Sequence, residues 1–130
     1  MSFRAAVLCA LAGMAWGIHM AMSQDHSAFP AHAHLNLLGW VSLFLFGLYY
    51  RLHPALEHDK RAHTQVWSWL AGTVVMAIGV AMIHTGNASG EPLAAGGSII
   101  VLASMLLFAW MVFRAERADS SARPAAAPAE

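Results

Sequence analysis

This sequence is short of charge. Only 11% of its 130 residues are Asp, Glu, Lys or Arg, against roughly 25% in an ordinary soluble domain. Meanwhile 58% are hydrophobic and the mean hydropathy is +0.54. A typical water-soluble globule is therefore excluded. Cysteine is almost absent as well: Cys9 stands alone inside the first apolar run, which rules out a disulfide framework, a CxxC redox pair and a CxxCH haem attachment. Any cofactor must be held by other ligands. Neither sign of charge is in excess, with seven Lys+Arg against seven Asp+Glu and a pI near 7.1. A nucleic-acid partner, which calls for a clustered basic face, is not expected.

The few charges are clustered, and the gaps between them define the fold. No charged residue falls between Ala5 and Gln24, His26 and Tyr50, Ala62 and Gly90, or Pro92 and Phe113. Each gap is long enough for a spanning helix of about 20 mostly apolar residues. The expected fold is all-α, a bundle of four transmembrane helices near 3–22, 34–52, 66–83 and 93–113, forming one domain over 1–117 with the lipid bilayer as its first partner. The tail 118–130 ends Ser-Ser-Ala-Arg-Pro-Ala-Ala-Ala-Pro-Ala-Glu. That biased composition lacks the apolar content to pack and predicts disorder. Arg4 ahead of an apolar run, with Ala21-Met22-Ser23 after it, also fits a cleaved signal peptide; we read the segment as a retained first helix.

All seven cations (Arg4, Arg51, Lys60, Arg61, Arg114, Arg117 and Arg123) fall on the side shared by the two termini and the middle loop. The positive-inside rule makes that side cytoplasmic. The expected location is the inner, cytoplasmic membrane of a bacterium, with both termini inside. Acidic residues are missing from the spans: Asp25 and Glu91 are at loop positions. This argues against a small proton-coupled exporter, which relies on a carboxylate within the membrane. The stretch from Arg51 to His63 reads as a solvated turn, and Thr85 to Pro92 as a turn-rich link with Pro92 in the first turn of the last helix. Trp16, Trp40, Trp67, Trp69 and Trp110 lie near helix ends, as interfacial anchors do, and Gly13-Met-Ala-Trp-Gly17 has the small-xxx-small spacing of close helix contacts.

Histidine is what the sequence has in excess. There are eight, and five of them fall at the outer side: His26 in a loop, and His19, His32, His34 and His84 on three different helices. Imidazole is a common ligand for zinc, copper and haem iron. His32 and His34 are two residues apart, which on a helix rotates them by about 200° to nearly opposite faces, so they are expected to serve two sites or two roles. The His32 face continues through Asn36, Gly39, Ser42, Phe46 and Tyr50, a small and polar stripe suited to helix contact. The His34 face continues through Leu38, Val41, Leu45 and Leu52, an apolar wall. A structural role for each histidine, by hydrogen bonds to water, headgroups or a neighbouring helix, stands beside the ligand reading. His19-Met-Ala-Met22 followed by His26 offers a mixed thioether and imidazole set suited to copper, while Met14, Met76, Met82, Met105 and Met111 read as apolar filler.

The stretch His32-Ala-His-Leu-Asn-Leu-Leu-Gly-Trp-Val41, continuing to Phe46-Gly-Leu-Tyr-Tyr, resembles haem-binding helices of the haem-copper oxidase catalytic subunit and of nitric oxide reductases. The resemblance implies a non-covalent b-type haem held near the outer face, with His32 and His34 as candidate axial ligands. Asn36 and Trp40 in the same stretch become cofactor-contacting candidates; His19 and His84 join them by depth alone. A four-helix chain with His-x-His on its second helix is similar to one of the three arcs of that family's fold. That similarity implies self-association, a trimer completing the set, and a respiratory-chain partner. The copper triad, the His-Tyr crosslink motif and an outer arginine for haem propionates are all missing, so oxygen or nitric oxide reduction by this chain alone is not expected. Two other functions remain open. One is copper or zinc handling by His19, Met22, His26, His32, His34 and His84; the other is a structural or assembly subunit of a respiratory complex.

Overall fold

In the computed structural model, which describes residues 2–122, every long element is a helix. The elements are α1 (Ser2–Ser23), α2 (Phe29–Leu52), a short α3 (Pro54–Glu57), α4 (Lys60–His84) and α5 (Glu91–Ala122), with one 3-10 turn at Ala88–Gly90 before α5. Four helices are long and apolar enough to cross a membrane, as the charge gaps predict. Their ends lie further out than expected. α2 starts at Phe29 because Pro30 occupies the first turn, where its missing N–H costs nothing. α4 starts at Lys60 because Asp59 caps it, accepting from the Arg61 N–H at 2.8 Å. α5 runs on to Ala122, into the stretch expected to be disordered; the remainder of that tail, 123–130, lies outside the described residues.

The helices run up, down, up and down. α1 lies antiparallel to α2, α2 to α4, and α4 to α5. Without a hydrophobic drive between helices in lipid, close approach has to come from small residues. In the α4–α5 hairpin a Cβ added at Gly97 would meet the Met76 amide nitrogen at 2.5 Å, and one at Gly79 would meet the Gly90 carbonyl at 2.7 Å. The hairpin link ends α4 with Gly86 at φ +88°. Around it the Asn87 N–H donates to the Met82 carbonyl at 2.8 Å and the Gly86 N–H to the Ile83 carbonyl at 3.1 Å, so the last helical carbonyls are satisfied by a left-handed glycine.

The buried centre joins Ala6, Leu43, Phe46, Tyr50, Val66, Trp69 and Met111. It also contains polar groups. The Tyr50 hydroxyl donates to Gln65 Oε1 at 3.0 Å, and the Ser104 hydroxyl to the Gln65 carbonyl at 2.8 Å.

Two expectations fail inside α2 and α4 for one reason. Leu35–Ser42 is wound as a π-helix, whose wider i→i+5 turn shifts the register locally, while Phe46 and Tyr50 stay on the expected buried face. Leu43 is therefore fully buried where Ser42 was expected, and the Ser42 hydroxyl turns back to the Leu37 carbonyl at 2.9 Å. The wider turn also leaves a carbonyl reachable from outside. Trp69 of α4, expected as an interfacial anchor, is instead 2% exposed and donates its indole N–H to the Leu38 carbonyl at 2.9 Å. Trp69→Phe keeps an aromatic ring there and removes the donor. It is expected to cost about 1 kcal/mol, measured as a lowered thermal midpoint in detergent, with an unchanged midpoint counting against a role for this bond.

Candidate functional site

The site is built on the first turns of α2. The Phe29 N–H donates to the His26 carbonyl at 3.0 Å, and Pro30 follows at the helix start. One turn on, His34 Nδ1 lies 2.7 Å from the Pro30 carbonyl oxygen. A carbonyl can only accept, so Nδ1 is the donor, and in the neutral ring the lone pair is on Nε2. A backbone carbonyl that fixes the tautomer in this way is the usual partner of a metal-ligating imidazole.

His34 stands at the head of a groove of about 520 Å³ between α2, α4 and α5. Leu37 and Leu38 line it from α2, Trp69 and Met76 from α4, and Ser98, Val101, Leu102 and Met105 from α5. Its polarity is low. The Ser98 hydroxyl donates to the Ala94 carbonyl at 2.7 Å and lies 3.2 Å from the Met76 sulfur. The groove is therefore lined by one imidazole and two methionines, Met76 and Met105, in apolar surroundings. Of the wall expected below His34, Leu38 is in place; Val41, Leu45 and Leu52 face outward.

His32 points elsewhere, as the rotation of about 200° between alternate helical positions requires. Its imidazole lies against α1, with Cε1 3.1 Å from where a Gly17 Cβ would be. Asn36 one turn below donates to the His32 carbonyl at 2.9 Å, and its Nδ2 is 3.3 Å from His32 Nε2. The Asn36 amide fills the space a Gly13 Cβ would take, with Nδ2 at 2.6 Å. The Gly13 and Gly17 pair thus makes a notch for two polar side chains. This is the helix-contact role read for the His32 face.

The remaining candidates are spread around the same end of the bundle. His19, His26 and His84 are exposed, Met22 is 81% exposed and Trp40 is 45% exposed, outside the groove. The Ser27 N–H donates to the Asp25 carboxylate at 2.9 Å. This bond and one from the Ser27 side chain hold the Asp25 carboxyl below the usual carboxylate range, with smaller contributions from His26 and His19. Among the described residues, no group of three or more His, Cys, Asp or Glu side chains stands close enough to hold a metal ion.

No family model, curated protein or solved structure matches the chain. Four groove residues, Trp69, Met76, Ser98 and Met105, did not emerge as site candidates from the sequence. Their signal is there in retrospect: 98, 101, 102 and 105 share one helical face, as do 69 and 76.

Proposed function

We propose that this is a multi-pass membrane haem protein, with a non-covalent b-type haem in the groove beside His34. The observation that carries the reading is the His34 imidazole, which lines the groove and whose Nδ1 is engaged by the Pro30 carbonyl at 2.7 Å. The surroundings suit the group: Leu37, Leu38, Val101 and Leu102 supply apolar walls, and Met76 and Met105 supply thioethers from the facing helices. Iron held by the His34 imidazole would supply one-electron exchange or diatomic-gas binding. The chain's own contribution would be to orient the His34 ring and to set the low polarity of the groove, which would tune the iron's potential.

The cation-rich end is the cytoplasmic one by the positive-inside rule, which puts His34 near the outer face of a bacterial inner membrane. His32 is assigned the α1–α2 contact rather than a second haem. In this reading a second copy or a respiratory-chain partner exchanges electrons with the site, and the trimer suggested by the resemblance to one oxidase arc is its assembly form.

A second reading, copper binding, rests on the same groove, because one imidazole with two thioethers suits Cu(I). Absorption spectra of the purified protein, oxidised and reduced, with elemental analysis, separate the two. A Soret band with stoichiometric iron is the expected result. No Soret band after haem-replete expression overturns the haem reading, and stoichiometric copper in its place establishes the second.

A further inference from the structure

The opposite end of the bundle has its own cavity, of about 550 Å³, enclosed by the end of α2, the short α3, the start of α4 and the late turns of α5. Leu52, Leu56 and Met111 are among its apolar lining residues, and Arg61 and Arg114 are its two cations. Arg61 of α4 and Arg114 of α5 both lie over the Trp110 ring, their guanidinium carbons 5.0 and 5.4 Å from its centroid. Two like charges share one indole. Among the described residues neither guanidinium pairs with a carboxylate; the ion pair at this end, at 3.1 Å, joins Arg51 to Glu57. Asp59 and Glu116 also border the cavity, but the Asp59 carboxylate is occupied in capping α4.

Two guanidiniums held at one indole without a carboxylate partner leave a need for an anion, and their planar donor forks match phosphate oxygens. Position and shape narrow the anion further. The arginines lie where the apolar spans give way to charge, the depth of lipid headgroups, and the same cavity is lined by Leu52, Leu56 and Met111. A free phosphate would use the arginines alone. We propose that this cavity binds one anionic phospholipid, its phosphate between Arg61 and Arg114 and the start of an acyl chain along Leu52 and Met111.

The test is a native mass-spectrometric titration of the full chain in mild detergent, with phosphatidylglycerol and phosphatidylcholine of identical acyl chains. Two basic contacts predict at least about a tenfold preference for phosphatidylglycerol. Arg61→Gln with Arg114→Gln is expected to abolish that preference. Arg4→Gln with Lys60→Gln, which alters the same end outside the cavity, is expected to retain it. Both pairs of side chains are exposed, so the fold is expected to survive, as checked by helical circular dichroism. Equal binding of the two lipids overturns the proposal. So does an equal loss in the Arg4 and Lys60 variant, which marks general surface charge, or full displacement of the lipid by glycerol phosphate, which marks a phosphate site without an acyl component.

Discussion

His34→Ala is expected to purify without haem, while His32→Ala keeps it. The two residues are near neighbours on one helix and chemically identical, so the contrast isolates direction. His34 projects into the α2–α4–α5 groove with its Nδ1 proton given to the Pro30 carbonyl at 2.7 Å. Losing an outer partner of a metal ligand typically costs 10–100-fold in affinity, and losing the ligand itself should cost more than about a hundredfold. The Soret absorbance per mole of protein measures this directly. His32 lies in the Gly17 notch of α1 with Asn36 as its partner, so its removal should lower thermal stability and leave the spectrum nearly intact. A His34→Ala protein with a full Soret band would remove His34 from the site, and the opposite pattern, with haem lost from His32→Ala alone, would move the cofactor to the α1–α2 contact.

The second large effect is structural. Gly79→Val is expected to separate the α4–α5 hairpin. A Cβ there falls on the Ala94 backbone nitrogen and 2.7 Å from the Gly90 carbonyl oxygen. Backbone atoms have no rotamer to retreat into, so the helices themselves must part. Overpacking typically costs 1–3 kcal/mol, and this site belongs at or beyond the upper end of that range. Because α4 and α5 form two walls of the groove, cofactor content should fall with stability. Gly96→Ala is the matched control, since nothing stands within 4 Å of a Cβ at that position. Thermal midpoints in detergent should show a large drop for Gly79→Val and none for Gly96→Ala; similar midpoints for both would contradict the close-packed hairpin.

What the sequence disclosed follows from which physics is local. Four spans could be read because lipid excludes charge, and the gaps between Arg4, Asp25, Arg51, Arg61, Glu91 and Arg114 record that exclusion directly. The divergence of His32 and His34 follows from helical rotation alone. Span ends were harder, since Pro30 and Asp59 start helices among residues that look like loop. The place of Leu43 was hidden by a π segment that no single residue announces. The groove was hidden for a different reason. Depth is legible from position along a helix, but direction around the bundle depends on the neighbours. His19 and His84 share the depth of His34 and face outward, while Met76 and Met105, read as filler, share its groove.

The notch in α1 also bears on how the chain is made. His32 and Asn36 are costly in bare lipid, and the residues that accommodate them, Gly13 and Gly17, belong to the helix synthesised just before theirs. With only residues 24–28 between the two helices, α2 meets its partner as it enters the bilayer, so the polar pair need never wait unpaired. A chain synthesised without α1 would present His32 and Asn36 to lipid, and its second helix should become a substrate for membrane quality control.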